Sequence, residues 1–268
     1  MPITQTTKSD QTIKELVKQL GSEKQEIAFV AYQAILEKIL PTTSYQSRRK
    51  REHVPMAAQL ATEFNAKTEV KPADKKGKKG KQEPPKPLHS TAVRNKVLRL
   101  LSYTATDGVL ETIRNAFKDL ETRQMALYVL CRLTSDRATD LLIEALDQVG
   151  PTFRVGVVNA LGKRQGEKVL AALKKTATED PEAQVRIAAV EALANFPEPA
   201  NDTIIAQAAN SDCKHMKAAA HKARVRLAET LRNTDKKSHA VKVYNAILSS
   251  NASQIQKKAA KLGLELLE

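Results

Sequence analysis

Tryptophan is missing from this 268-residue chain, and aromatic residues of all kinds make up 4% of it. A core built without large rings must be filled by Ala, Leu, Val and Ile, which suits close helix–helix packing. Cysteine is also scarce. Cys131 and Cys213 are the two present, too few for a disulfide framework. No apolar run approaches the roughly 18 residues a membrane-spanning helix needs. The opening residues MPITQTTKSDQ show no basic start followed by an apolar stretch, so no secretion signal is expected there. Together these absences predict a soluble, cytoplasmic protein with no membrane partner.

The residue patterns of catalysis are missing too. The nine glycines are scattered apart from one Lys-Gly run, so there is no phosphate-cradling loop. Cys213 and His215 are close in sequence, but no further ligands stand at metal-binding spacing, and His215 and His221 do not share a helix face. No local pattern sets a nucleophile beside an oriented base. We therefore expect no metal, no cofactor and no enzymatic activity.

Charge is abundant and unevenly placed. The formal net charge is +14. Residues 41–88 carry +7 and residues 211–268 carry +7, while 1–40, 89–150 and 151–210 each balance to zero. Any electrostatic function should therefore be sought in the two basic segments.

The main signal is a repeat. DPEAQVRIAAVEALANF, residues 180–196, sets Arg186 before apolar residues at Ala189, Val190, Ala192 and Leu193. The same frame follows Arg94, Arg123 and Arg154, and in part Lys217, with anchors 29, 31, 32 and 31 residues apart. Weaker copies start at Lys24 and Gln256. A shorter apolar segment precedes each anchored helix, such as Val109, Leu110 and Ile113, or Leu141, Leu142 and Leu146. A period near 31 residues with two helices per unit is the signature of a solenoid. Breaks fall where expected. Asp180-Pro181 reads as an N-cap followed by Pro at the first helical position, Gly150-Pro151 works similarly, and Ser22, Ser90 and Asn251 are candidate caps. The four anchor arginines recur with the period, so their first explanation is structural. They should pair with carboxylates or carbonyls of neighbouring units.

The pattern D-P-x-x-x-V-R-x-x-A-x-x-A-L at Asp180 to Leu193 resembles HEAT repeats of the short, phycobilisome-lyase-like bacterial kind. The frames at Arg94, Arg123 and Arg154 are similar, and IKELVKQLGSEKQEIAFVAYQAIL resembles an opening unit. The resemblance spans nearly all of the chain outside 41–88. It implies an all-α, right-handed α-solenoid of about seven HEAT-like helical pairs with a disordered basic insert. Its implication for function is broad. Such proteins are mostly protein-binding scaffolds, some bind nucleic acid, and a minority are enzymes. HEAT-like hydroxylases use His-Glu pairs for iron, but none of the five histidines here is followed by Glu. HEAT-like alkylation glycosylases use Trp-lined clefts, which this chain has no Trp to build. Bilin lyases of this repeat type have no compact motif to test.

This gives three expected segments. Residues 1–40 form an N-terminal helical pair, 41–88 a basic and partly disordered insert, and 89–268 the repeat solenoid. Within the insert, Met56 to Phe64 reads as a candidate first helix of the second repeat unit, while Lys67 to Pro87 is too rich in Lys, Gly and Pro to bury a core. Arg48, Arg49, Lys50 and Arg51, together with Lys75 to Lys81, read either as a solubilising linker or as a polyanion-binding arm. Near the C-terminus, Lys214, Lys217, His221 and Arg224 share one helix face by spacing. Lys257, Lys258 and Lys261 repeat the idea one pair later. In the unit anchored at Lys217, His221 and Arg224 stand where other units are apolar. That reads as an end cap or register shift, or as an exposed basic face. The resulting expectation is a non-catalytic scaffold or adaptor for a macromolecular partner, protein first. Its mark would be an apolar or mixed groove in the neutral middle, residues 89–210. The alternative is a nucleic-acid adaptor using the basic segments. No aromatic interleaves those segments to stack on bases.

Overall fold

The computed structural model describes residues 11–68 and 85–267 and divides into two compact units, Met1–Ala138 and Thr139–Glu268. Among the described residues there are fifteen α-helices. The first unit contains α1 (Ile13–Leu20), α2 (Gln25–Ile39), α3 (Tyr45–Arg49), α4 (His53–Asn65), α5 (Thr91–Thr104), α6 (Leu110–Lys118) and α7 (Arg123–Arg132). Helix α8 (Asp136–Gln148) runs from its end into the second unit. There follow α9 (Pro151–Leu161), α10 (Glu167–Glu179), α11 (Ala183–Leu193), α12 (Asn201–Ala209), α13 (Lys214–Arg232), α14 (Lys237–Leu248) and α15 (Gln254–Glu265). With the short α3 set aside, the helices form seven consecutive pairs, α1/α2, α4/α5 and so on to α14/α15. The fold is all-α and of the solenoid kind.

Several helices start for a local reason. Thr12 and Glu15 form a reciprocal capping box at α1, and Ser253 and Gln256 do the same at α15. Ser90 accepts from the Val93 amide at the start of α5. Pro151 opens α9 directly after Gly150. Three expected caps differ. Ser22 does not cap α2, whose N-cap is Lys24; the Ser22 hydroxyl accepts from the Lys24 amide at 3.2 Å. Ser253, rather than Asn251, caps α15. Asp180 does not cap α11, whose N-cap is Glu182. Instead Asp180 Oδ1 accepts from the Glu182 amide at 2.9 Å, and Oδ2 is held by Arg154 at 2.7 Å. With both oxygens engaged ahead of the helix, Asp180 shapes the turn that leads into it.

In each unit the second helices form one layer and the first helices another. In the first unit α2 packs on α5 and α5 on α7, with α1, α4 and α6 behind them. In the second, α9 packs on α11, α11 on α13 and α13 on α15. The repeat frame supplies the buried contacts. Val97, Leu98, Leu100 and Leu101 are fully buried on α5, as are Val157, Val158 and Leu161 on α9 and Ala189, Val190 and Leu193 on α11. Small residues let the second-helix layer close up. At Gly162 an added Cβ would lie 2.9 Å from the Ala192 Cβ.

The anchor arginines brace the stack, each within its own unit. Arg94 Nη1 reaches Asp119 Oδ2 at 2.6 Å, and Arg154 Nη1 reaches Asp180 Oδ2 at 2.7 Å, in both cases in the turn of the next pair. Arg123 Nε donates to the Phe117 carbonyl at 2.7 Å, and Arg186 Nη1 to the Asp180 carbonyl at 2.6 Å, each in the turn before its own helix. All four arginines are structural. Arg94 and Arg154 pair with a neighbouring repeat as expected, whereas Arg123 and Arg186 bond carbonyls of their own repeat.

Within residues 41–88 the helix expected from Met56 to Phe64 forms, extended to His53–Asn65. Apart from the short 3-10 turn Leu40–Thr43 and α3, these residues supply α4, which packs against α1, α5 and α6 and buries Ala57, Leu60 and Phe64. The apolar spacing of α4 makes it the first helix of a repeat pair. The Lys67–Pro87 stretch leaves and returns at one place. Thr68 N donates to Lys86 O at 2.9 Å and Leu88 N to Ala66 O at 2.7 Å, and Lys67 pairs with Pro87 in a single bridge. The Lys75–Lys81 run lies outside the described residues, as does the expected disorder between 69 and 84.

The final pair closes over Tyr244, whose side chain is fully buried. A Cβ on Gly263 of α15 would stand 2.6 Å from the Tyr244 hydroxyl oxygen, so only glycine lets α15 seat on α14. Gly263→Ala is therefore expected to destabilise the protein by about 1–3 kcal/mol through overpacking. Gly150→Ala, where an added Cβ meets nothing within 4 Å, serves as the control. Chemical denaturation of both variants checks this.

Candidate interaction surfaces

The C-terminal basic stripe is half interior. Lys214 and Lys217 are exposed at the start of α13, but His221 and Arg224 are each 6% exposed. The register of the repeat is kept. His221 and Arg224 stand four and seven residues after Lys217, where Val190 and Leu193 stand after Arg186, and all four are buried. Arg224 is tolerated inside because Asp202 of α12 takes its guanidinium with both oxygens, Nε to Oδ1 at 2.7 Å and Nη2 to Oδ2 at 2.9 Å. His221 has no partner on either ring nitrogen. Burial, with Arg224 and Lys217 adding to it, holds its pKa below the usual histidine value. Neither residue offers a charge to solvent, so the expected four-residue face reduces to Lys214 and Lys217. On α15, Lys258 and Lys261 are exposed and Lys257 is half-buried, and α13 and α15 are in contact.

The Arg48–Arg51 cluster is also split. Arg49 ends α3, and Lys50 and Arg51 are exposed, Arg51 with a left-handed φ of 59°. Arg48 turns back onto α5, with Nη2 donating to the Tyr103 carbonyl at 2.9 Å and Nε to the Thr43 carbonyl at 3.1 Å. It lines a crevice of about 440 Å³ in the first unit, together with Ser102, Thr106, Asp107, Arg132 and Ser135. Arg132 Nε donates to the Ser102 carbonyl at 2.9 Å, and the Ser135 hydroxyl to Asp107 at 2.5 Å.

Beside this crevice lies a surface that the sequence reading missed. Tyr32 of α2 is close enough to Tyr103, Arg99 and Tyr128 to feel their charges and bonds to Arg99, and burial above all raises its pKa. Arg132 stacks over the Tyr103 ring at 5.5 Å from its centroid. Tyr128 is 43% exposed. Arg132 and Tyr103 thus stack in the second-helix layer of the first unit, with Tyr32, Arg99 and Tyr128 in their neighbourhood. A signal was present. Arg99 and Tyr128 both stand five residues after their anchors, and Tyr103 and Arg132 both stand nine after theirs. These outward repeat positions went unread while the apolar ones were followed.

In the second unit, a groove of about 740 Å³ runs between α8 and α10. Ile143, Leu146, Ala171 and Ala172 give it apolar walls, and Lys175 and Glu179 line it with charge. Lys168 bridges to Asp140 at 2.9 Å. This is a mixed groove inside the charge-neutral middle. Among the described residues, no group of three or more His, Cys, Asp and Glu is arranged to hold a metal ion, and no helix is long and apolar enough to cross a membrane.

Residues 106–194 match the family of HEAT repeats. The pairs α6/α7, α8/α9 and α10/α11 lie within this span. Among solved structures, the chain is similar to the complex of CpcE and CpcF of phycocyanin lyase from Nostoc sp. PCC7120, at 16% identity and a TM-score of 0.41, covering 99% of this chain and 98% of that one. It is also similar to a designed armadillo repeat protein in complex with the peptide (KR)4, at 14% identity and a TM-score of 0.34, covering 96% and 100%. A third likeness is to an engineered protein, at 16% identity and a TM-score of 0.30, covering 94% and 95%. No curated protein matches the sequence.

Two outcomes follow for α13. Arg224→Ala leaves Asp202 without its partner and is expected to cost about 3–5 kcal/mol, whereas Lys217→Ala should stay within about 0.5 kcal/mol. Urea denaturation separates the two. A buried histidine with a lowered pKa binds its proton more readily once unfolded, so stability should fall as pH drops below about 6.5. His221→Leu is expected to flatten that slope, measured as unfolding free energy between pH 7.5 and 5.5.

Proposed function

We propose that this protein is a non-catalytic scaffold that binds a partner protein along its helical repeats. The carrying observation is the groove between α8 and α10, where apolar walls and charges of both signs lie together in the neutral middle of the chain. Apolar contact area supplies binding free energy, and a rim of mixed charge orients a protein partner. A phosphate backbone requires excess positive charge instead, and this groove holds Asp147, Glu179 and Asp180 among its lining residues. The buried state of His221 and Arg224 further shrinks the basic surface on which a nucleic-acid adaptor would depend.

A photo-crosslinking residue placed at Ala171 in the groove is expected to give a discrete protein adduct in cells. The same residue at Ser238, exposed on α14, should give none. An adduct at Ala171 that ribonuclease or deoxyribonuclease removes would replace this reading with the nucleic-acid one.

A further inference from the structure

We infer that the Arg48–Arg132 crevice and the tyrosine face beside it are a docking site for an extended acidic segment of a partner protein. This rests on the scaffold reading and specifies the chemistry of one partner.

The two guanidiniums are held ready by main-chain carbonyls. Thr43 and Tyr103 take Nε and Nη2 of Arg48, and Ser102 takes Nε of Arg132. Each guanidinium has five N–H donors in a fixed fork, so terminal donors remain on both for a ligand carboxylate. Fixing the side chains in advance also lowers the ordering cost of binding. These arginines differ from Arg94, Arg154 and Arg224, each of which is matched to an aspartate. Among the described residues neither Arg48 nor Arg132 has a carboxylate partner. The acid in the crevice, Asp107, is engaged by the Ser135 hydroxyl on its own wall. Two guanidiniums against one aspartate leave a single positive charge, which one carboxylate matches.

Tyr128 stands four residues before Arg132 on α7, so its exposed ring lies one turn along the same face. It offers an apolar surface next to the charge. Tyrosine beside arginine is the composition that dominates protein-binding hot spots.

The same residues fit single-stranded nucleic acid poorly. Base stacking needs successive open rings. Here Tyr103 has the Arg132 guanidinium over its ring, and Tyr32 is half-buried and bonded to Arg99, so Tyr128 is the open ring of the three.

The test pans a phage library of random peptides on the full chain and measures the selected peptides in synthetic form by fluorescence anisotropy. Selected peptides are expected to be rich in Asp and Glu. They should bind Arg48→Gln/Arg132→Gln at least about tenfold more weakly, and Tyr128→Ala about fivefold more weakly. Arg132→Lys, which keeps the charge and loses the fork, should fall between wild type and the double variant. Thermal unfolding confirms that each variant is folded. Tyr128→Ala removes an exposed side chain, so it decides the matter even where the double variant unfolds. Peptides without acidic enrichment, or acidic peptides that bind every variant equally, overturn the docking site and leave the groove at Ala171 to be judged by its own crosslink. Binding of an oligo-dT strand that the same substitutions abolish also overturns it, by assigning the face to nucleic acid.

Discussion

No helical pair in this chain can close its own apolar face. Each second helix of the frame has apolar residues on more sides than its partner covers. Val190 and Leu193 of α11 are fully buried, with α9 packed on one side of that helix and α13 on the other. Stacking is therefore obligatory, and the alanines follow from it, because layers of second helices close up where side chains are short. The arginine clamps depend on the same constraint. Arg94 and Arg154 are mostly buried at 11% and 19% side-chain exposure. Such charges are acceptable there because the adjacent turn places a carboxylate within 2.7 Å.

The repeat was legible because burial writes itself at fixed offsets. Apolar residues three, four, six and seven places after each anchor gave the helix pairs, their number and the structural part played by the arginines. What was misread came from judging residues by type. His221 and Arg224 looked like surface because they are polar, yet their offsets are those of core residues. Asp202 explains how Arg224 is held, but it lies on another helix, and no spacing rule connects positions 202 and 224. Residues 41–55 read as linker because of RRKR, whereas the apolar spacing from Met56 already marked a repeat helix, and Ala57, Leu60 and Phe64 are its buried face.

The tyrosine face illustrates the opposite limit. Outward positions are less constrained by packing than the apolar ones, although Arg132 and Asn195 each bond a carbonyl of the preceding pair, and their residues change from repeat to repeat. The pair five and nine places after the anchor reads Arg99 and Tyr103, then Tyr128 and Arg132, then Asn159 and Lys163, then Glu191 and Asn195, then Lys222 and Arg226. A column that varies this much carries no fold signal and is easily passed over. Its variation is still informative, since the aromatic groups gather in the first unit beside Arg99 and Arg132, and carboxamides, a carboxylate, amines and Arg226 follow later. A repeat scaffold distinguishes parts of its surface through such columns while its apolar columns stay uniform.

Net charge is therefore a poor guide to where this chain acts. The +14 total counts Arg94, Arg154 and Arg224, which aspartates neutralise in place. It also counts residues such as Arg123 and Arg186, whose guanidiniums are bonded to turn carbonyls of the stack. Conversely, the segment 89–150 sums to zero and yet holds Arg99 and Arg132 beside tyrosines on an open face. Potential at a surface depends on which charges lack a nearby opposite and reach solvent, and that is decided by pairing and burial rather than by composition.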